Sequence, residues 1–284
     1  MTDVMLSVNN LTVDYPGRRR STFRAVDDVS FDIQRGETVG LVGESGSGKT
    51  TIARAVQGLL ATTAGSIMLQ GAPVQARTVQ QRRHLASQVQ TVFQDPFGSL
   101  NPARTVGSTI AESLLAQNAP LTKKETADRV DAELISVGLS PKDAGRLPQE
   151  FSGGMCQRIA IARALIARPQ LVICDEAVSA LDLSIQAQIL NLLADLQAER
   201  GISYLFITHD LAVVRHVAQR IAVLEHGKMV DLLDAHDDDR SSWSHYTRKL
   251  FDAAPIPDPA LQKARREQFE RTLAEPDTHN AEES

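Results

Sequence analysis

The octapeptide GESGSGKT, which begins at Gly43, has the residue types and the spacing of a loop that binds phosphate. It lies between an apolar stretch that predicts a strand and a stretch that predicts a helix, which is the context such a loop requires. Its glycines, Gly43, Gly46 and Gly48, would let backbone N–H groups point at phosphate oxygens. Lys49 would reach the β- and γ-phosphates, and the Thr50 hydroxyl would bind Mg²⁺. The sequence therefore predicts a nucleoside triphosphate site.

Polar side chains follow three other apolar stretches that predict strands. Asp175 ends LVICD, where its carboxylate can hold the Mg²⁺ coordination shell across from Thr50. Glu176 comes next and is placed to polarise an attacking water. His209 follows a buried stretch and can donate a hydrogen bond to the γ-phosphate, and Gln94 likewise ends the stretch TVFQ. Together these residues predict a site for triphosphate hydrolysis.

The segment FSGGM, from Phe151 to Met155, begins a predicted helix in an unusual way. Ser152 is a good helix cap, but Gly153 and Gly154 follow it, and glycine costs about 1 kcal/mol per residue in a helix relative to alanine. Glycines at a helix start let backbone N–H groups approach an anion closely. The segment therefore predicts a second anion contact.

Composition is typical of a globular, soluble protein, with 42% hydrophobic and 23% charged residues. The net charge of −5 excludes a chain-wide basic field for nucleic acid, and the basic run at residues 18–20 is expected to be a solvated loop. Cys156 and Cys174 lack the spacing of a metal site and are expected to be buried, as suits a reducing compartment. We predict no secretion signal and no membrane span, because no apolar run reaches 18 residues.

The order of the predicted strands and helices that must position these groups indicates an α/β core with a parallel sheet. Short strand-like segments dominate the start, helical periodicity fills residues 105–147, and strand and helix then alternate again. Beyond about residue 232 the chain becomes acidic and loop-like, then proline-rich, and ends as a frayed tail. We predict a main domain over residues 1–232 and a C-terminal extension and tail over residues 233–284.

These pieces in this order resemble the ATP-binding cassette (ABC) ATPases over roughly residues 5–230. GESGSGKT resembles Walker A, LVICDE Walker B with its catalytic glutamate, FSGGM the family signature, and SALD, which ends at Asp182, the D-loop. Gln94 matches the Q-loop and His209 the switch histidine, and Tyr15 lies where the family places an aromatic ring on adenine. The resemblance implies a P-loop NTPase core, an N-terminal antiparallel β subdomain, a helical signature subdomain over about 95–165, and a C-terminal extension.

The resemblance also implies roles for individual residues, with ATP as the nucleotide. Glu176, His209 and Gln94 would be catalytic, and Thr50, Gln94 and Asp175 would hold Mg²⁺. The residues implied to bind ATP are Tyr15, Gly43, Glu44, Ser45, Gly46, Ser47, Gly48, Lys49, Thr50, Thr51, Ser152, Gly153, Gly154 and Asp182. In this family two cassettes face each other head to tail. The signature residues would therefore serve the γ-phosphate that the other chain holds.

A closer resemblance is to the oligopeptide, dipeptide and nickel importer ATPases of bacteria. It is carried by FQDPFGSLNP, FSGGMCQRIAIARAL, VSALDLSIQAQILNLL and HYTRKLFDAAPIPDP. This resemblance implies a peripheral subunit at the cytoplasmic face of the inner membrane that energises uptake of peptides or related small solutes. Gln94 and the segment Phe97–Pro102 would couple ATP turnover to the membrane subunits.

The implied partners are a second ATPase (a paralogue or a second copy), two transmembrane permease subunits and an extracytoplasmic substrate-binding protein. No nucleic acid is implied, and the membrane would be contacted only through the permease. Two alternatives stay open: a soluble ABC ATPase of translation or DNA repair, and a module that binds ATP without turnover. The transported solute is also left open, since specificity lies in other chains.

The sequence departs from the family pattern at a few positions. The signature commonly ends in glutamine but here ends in Met155, which makes no strong hydrogen bond and so weakens a contact near the ribose or phosphate. Ala177 replaces the proline that often follows the catalytic glutamate, and little effect is expected. Asp238 and Asp239 lie in a C-terminal connection whose sequence is degenerate, which puts its regulatory contacts in doubt.

Overall fold

Two β-sheets and the helices around them form the structure, a computed structural model that describes residues 3–17, 21–74, 78–116, 121–237 and 239–253. The strands are β1 (Val4–Pro16), β2 (Thr22–Gln34), β3 (Thr38–Val42), β4 (Ala64–Leu69), β5 (Ala72–Pro73), β6 (Val89–Phe93), β7 (Leu171–Asp175), β8 (Ser203–Ile207), β9 (Arg220–Glu225) and β10 (Lys228–Asp234). The helices are α1 (Lys49–Val56), α2 (Val79–Gln88), α3 (Val106–Ala116), α4 (Lys123–Ser136), α5 (Gly153–Leu165), α6 (Leu183–Arg200), α7 (Leu211–Val217) and α8 (His245–Ala253). Short 3₁₀ turns occur at Pro141–Gly145, Pro148–Glu150 and Arg240–Ser242.

The N-terminal sheet has the order β2-β1-β4-β5, and all its pairings are antiparallel. The inward-facing side chains of β1 and β2, such as Leu6 and Ile33, are fully buried. They share one apolar core with Leu41 of β3 and Ile52 of α1. The antiparallel subdomain therefore packs directly on the strand and helix that flank the phosphate loop.

The second sheet has the order β10-β9-β3-β8-β7-β6, in which the strands from β9 to β6 are parallel and β10 pairs antiparallel with β9. Strands β3 and β8 are wholly buried, in keeping with their continuous apolar runs. Because the carboxyl ends of parallel strands meet at one edge, the residues after β3, β6, β7 and β8 lie along a single line. The predicted α/β fold with its antiparallel subdomain is confirmed.

Helices α3 and α4 lie in the stretch whose periodicity predicts helix, and both pack against α5. Their buried side chains, including Ile110 and Leu134, join one core with Ile159 of α5 and Val172 of β7. Cys156 and Cys174 are free and buried in this core, as predicted, and burial raises the pKa of both thiols. None of the described helices has the length and hydropathy needed to cross a bilayer.

Helix α2 is not among the elements that the sequence predicts. Its one buried residue is Leu85, so it lacks the apolar periodicity that indicates a helix. A capping box begins it instead: the Thr78 hydroxyl accepts from the Gln81 N–H, and the Gln81 side chain accepts from the Thr78 N–H.

The C-terminal part of the described chain continues the second sheet. Strand β10 runs across the predicted boundary at residues 232/233, and Phe251 of α8 and Trp243, just before α8, share an apolar cluster against which Val230 and Leu233 of β10 pack. Asp239 caps the 3₁₀ turn at Arg240–Ser242. The division into residues 1–232 and 233–284 stays a prediction. Residues 18–20, Asp238 and the tail from residue 254 lie outside the described residues.

Helices α5 and α6 lie close together at Gly154. A Cβ atom there would lie 2.5 Å from Ile185 Cγ2, whereas a Cβ atom at Gly153 would meet only Phe97 and Leu181, at 3.8 and 3.9 Å. Gly154 therefore has a packing role in addition to any contact with an anion.

We expect Gly154→Ala to destabilise the fold by about 1–3 kcal/mol, because overpacking forces the two helices apart. Gly153→Ala is the matched control and should change stability by less than about 1 kcal/mol, since alanine favours the helix and meets no clash. Thermal unfolding of the two variants side by side measures the difference. Equal melting temperatures would contradict the packing role.

Candidate nucleotide site

The phosphate loop joins the end of β3 to the start of α1. Gly43 and Gly48 have φ values of 150° and 107°, which side chains rarely adopt. A Cβ atom at Gly43 would lie 2.2 Å from the carbonyl oxygen of Leu224, and one at Gly48 would lie 2.7 Å from that of Ala25. No side chain caps the first turn of α1, so its backbone N–H groups are left for an anion. The loop therefore has the shape that phosphate binding requires.

Lys49 is buried within this loop. Its Nζ atom donates to the carbonyl oxygens of Gly43 at 2.7 Å and Glu44 at 2.8 Å, and lies 3.4 Å from the Ser47 hydroxyl. Burial lowers the pKa of Lys49, and the charge of Glu176 and then that of Asp175 oppose this shift. The ammonium group is thus held by oxygen atoms at the place where phosphate oxygens would compete for it.

A cavity of about 560 Å³ opens beside the loop. It brings together Thr50, Gln94, Asp175 and Glu176, four of the residues that the sequence analysis assigned to catalysis or metal binding. Hydroxyl, amide and carboxylate oxygens are the donors that Mg²⁺ prefers, so the set fits that ion. Burial and the charge of Glu176 raise the pKa of Asp175, while Arg54 and Lys49 lower it. A divalent cation would favour the ionised form that coordinates it.

Glu176 has a strained backbone, with φ at 52°. The residue is held there because its N–H donates to Ile207 O at 2.9 Å and its carbonyl accepts from the Ser179 N–H at 3.1 Å and the Ser179 hydroxyl at 3.0 Å. Its Oε1 atom lies 3.4 Å from Nδ1 of His209, which is largely exposed. Strained backbone kept in place by its neighbours is characteristic of functional sites.

Tyr15 of β1 also reaches the loop region. Its hydroxyl lies 3.4 Å from the Thr51 hydroxyl in the first turn of α1, and the side chain is partly buried. The structure thus brings both residues next to the phosphate loop.

Ser152 and Asp182 cap helices α5 and α6. The Ser152 hydroxyl accepts from the Met155 N–H at 3.4 Å, and the Asp182 carboxylate accepts from the Ile185 N–H at 3.0 Å and the Ser184 hydroxyl at 2.9 Å. These hydrogen bonds lower the pKa of Asp182. The described residues that line the cavity include neither residues 152–154 nor Asp182. Met155 packs against the core of α5 and α6.

Two residues of α5 that the sequence analysis does not assign to the site are connected to it. Gln157 is fully buried, and its Nε2 donates to the carbonyl oxygen of Ala177 at 2.5 Å, which links the signature helix to the residue after Glu176. Arg163 lines the cavity and donates to Ser99 O at 2.5 Å. A polar side chain within an apolar helical repeat is the signal that points to both.

Comparison with known proteins places this site in a family. A profile described as ABC transporter matches residues 26–179, more than half of the chain. The oligopeptide transport ATP-binding protein OppF of Salmonella typhimurium is 47% identical over 248 residues, which span 87% of this chain and 74% of OppF. The chain belongs to the ABC transporter family. It is an ATPase subunit that binds ATP, and the predicted family is confirmed.

Solved structures of ABC ATPases have the same fold. CbiO1 of Clostridium perfringens, described as part of the ABC transporter complex cbiONQ, matches with a TM-score of 0.75 at 23% identity, covering 96% of this chain and 100% of CbiO1. The cassette MJ0796, solved as a dimer in a post-hydrolysis state with ADP and Pi, matches with a TM-score of 0.73 at 27% identity, covering 82% and 100%. The similarity to OppF, a transport protein by its name, does not favour the alternative of a translation or repair ATPase.

We expect Glu176→Gln to bind ATP but to lower turnover by about 10²–10⁴-fold, because the amide keeps the shape of the carboxylate yet cannot polarise water. Phosphate release and nucleotide titration measure the two effects separately. Glu199→Gln is the control: it removes the same charge at an exposed position on α6, and it should leave ATP binding and turnover unchanged. Near-normal turnover in Glu176→Gln would show that another group activates the water.

Proposed function

We propose that this chain is the ATPase subunit of a bacterial importer that takes up peptides or related small solutes. The observation that carries the proposal is the similarity to OppF, which extends over 87% of the chain, well beyond the motifs common to ABC proteins. The printed name of that relative describes oligopeptide transport. The cavity that combines Thr50, Asp175 and Glu176 supports the hydrolytic step.

Within one chain, Thr50, Gln94 and Asp175 would hold Mg²⁺, which neutralises charge on the β- and γ-phosphates when bound. Lys49 and backbone N–H groups within the loop from Gly43 to Thr50 hold the phosphates, with Thr51 beside them. Glu176 accepts a proton from the attacking water, and Gln94 and His209 orient the groups around the γ-phosphate. The ring of Tyr15 stacks on adenine, which its position beside Thr51 supports.

The ATP site is completed by a second cassette, either a paralogue or another copy. Ser152, Gly153 and Gly154 at the partly exposed start of α5, together with Asp182, would face the γ-phosphate of that partner. The dimeric state of MJ0796 supports this arrangement.

A second cavity, of about 460 Å³, supports contact with a permease. Val79 is an exposed apolar side chain that lines this cavity together with Arg82, Arg83 and Glu112, and Phe97 of the Phe97–Pro102 segment is exposed as well. Arg163 lines both cavities and so connects the second one to the nucleotide site. A cytoplasmic segment of the permease would dock here, and Arg163, which donates to Ser99 O, would link it to the Phe97–Pro102 segment.

The complete assembly would contain two such ATPases, two transmembrane permease subunits and an extracytoplasmic substrate-binding protein. The chain would sit at the cytoplasmic face of the inner membrane and touch it only through the permease, without nucleic acid as a partner. It contributes energy to transport and does not contact the solute.

Uptake of a radiolabelled peptide tests the function in a strain that lacks the gene for this chain. We expect the wild-type chain and Glu199→Gln to restore uptake and Glu176→Gln to fail, because only the last one blocks hydrolysis. Affinity purification from the same cells should recover two membrane subunits. Recovery of ribosomes or DNA in place of membrane subunits would contradict the importer.

Mixing of two inactive variants tests the shared site. Lys49→Ala breaks the phosphate loop, and Ser152→Arg blocks the signature with a bulky cation. If the signature serves the partner, a mixed dimer holds one site that is broken twice and one that is intact, so part of the ATPase activity returns. A signature that acted within its own chain would give no recovery. Where the partner is a paralogue, the second substitution is placed in its corresponding serine.

A further inference from the structure

The C-terminal helix α8 reaches the phosphate loop through one side chain. The hydroxyl oxygen of Tyr246 accepts a hydrogen bond from the backbone N–H of Glu44 at 3.1 Å. Glu44 is the second residue of the loop, and Tyr246 lies 202 positions further along the chain. Burial raises the pKa of Tyr246, which keeps the hydroxyl neutral.

This hydrogen bond acts on the same peptide group that Lys49 contacts. The carbonyl oxygen of Gly43 accepts from Lys49 Nζ at 2.7 Å, and the N–H on the other side of that peptide bond donates to Tyr246. The peptide plane between Gly43 and Glu44 is therefore held at its oxygen by Lys49 and at its nitrogen by Tyr246.

Helix α8 is itself fixed to the sheet. The Asp231 carboxylate of β10 accepts from the Ser244 N–H at 3.0 Å and from the Thr247 hydroxyl, and Thr247 is fully buried. The Tyr246 ring packs against an apolar cluster that contains Val42, the last residue of β3. The Tyr246 hydroxyl is thus directed at the loop by two sets of contacts: the hydrogen bonds of Asp231 to the start of α8, and the packing of the Tyr246 ring.

We propose that Tyr246 is a positioning residue for phosphate binding, which orients the first peptide of the loop and couples the C-terminal extension to the nucleotide site. The ring alone satisfies the packing, and Glu44 is exposed, so water can replace the hydroxyl as acceptor. Loss of the hydroxyl therefore costs little global stability. The cost appears in the order of the loop and in the affinity for nucleotide, because a loop that is free to move must be ordered when phosphate binds.

Tyr246→Phe tests this role, with Tyr204→Phe as the matched control. Tyr204 also loses one hydrogen bond, from its buried hydroxyl to Leu193 O at 3.3 Å, but it has no contact with the loop. For Tyr246→Phe we expect the dissociation constant for Mg-ATP to rise by about two- to tenfold, the usual effect of one hydrogen bond, with little change in melting temperature. Amide exchange of residues 43–49 in the nucleotide-free chain should become faster. Tyr204→Phe should lower the melting temperature and leave affinity and loop exchange unchanged.

A second variant acts on the same contact from a distance. Asp231→Ala frees the start of α8 and should raise the dissociation constant for Mg-ATP as Tyr246→Phe does, and the double variant should be no worse than Asp231→Ala. Unchanged Mg-ATP affinity and unchanged amide exchange of the loop in Tyr246→Phe would overturn the proposal and show that Tyr246 serves only in packing. If the losses of Mg-ATP affinity in the two single variants add fully in the double variant, Asp231 does not act through Tyr246, and its proposed role in fixing α8 is overturned.

Discussion

The buried ammonium group of Lys49 is the constraint on which the nucleotide site depends. A charge removed from water needs hydrogen-bond partners, and the carbonyl oxygens of Gly43 and Glu44 supply them. The loop turns these oxygens inward through backbone conformations at Gly43 and Gly48 that suit glycine. The same course leaves the first N–H groups of α1 free for phosphate. The loop conformation that supplies partners to the lysine therefore also leaves backbone donors for an anion.

Neighbouring segments hold that conformation from outside. The carbonyl oxygen of Leu224 in β9 approaches Gly43 so closely that no side chain fits. At the turn after β9, the Gly227 N–H donates to Ser47 O at 3.1 Å, and the Gly227 carbonyl accepts from the Asp27 N–H at 2.8 Å. The phosphate loop is therefore braced by both sheets, and the contact with α8 adds a third support.

The end of β7 sets both the position and the backbone strain of Glu176. Parallel pairing sets the level at which each strand stops, so Asp175 and Glu176 are delivered to the cavity together. The left-handed backbone of Glu176 costs about 1–3 kcal/mol, as is typical of such a conformation in a residue other than glycine. The hydrogen bonds to Ile207 and Ser179 offset this cost and aim the carboxylate towards His209. The fold thus keeps backbone strain at the residue proposed as the base for hydrolysis.

The sequence by itself determined the chemistry of the loop and of the strand ends. Gly43 to Thr50 are contiguous, so their spacing alone sets how they surround a phosphate, and Asp175 and Gln94 were predictable because apolar runs mark the strands before them. Helix α2 was not predictable from periodicity, since it buries one side chain.

Only the tertiary structure decided which distant groups meet. Gly154 is needed for the approach of Ile185, Gln157 reaches Ala177, and Tyr246 holds Glu44, each across an interval that no local pattern spans. These contacts arise from the packing of whole elements, in which a helix is oriented by all its neighbours at once. A residue's type limits the hydrogen bonds it can make, but the fold selects its partner.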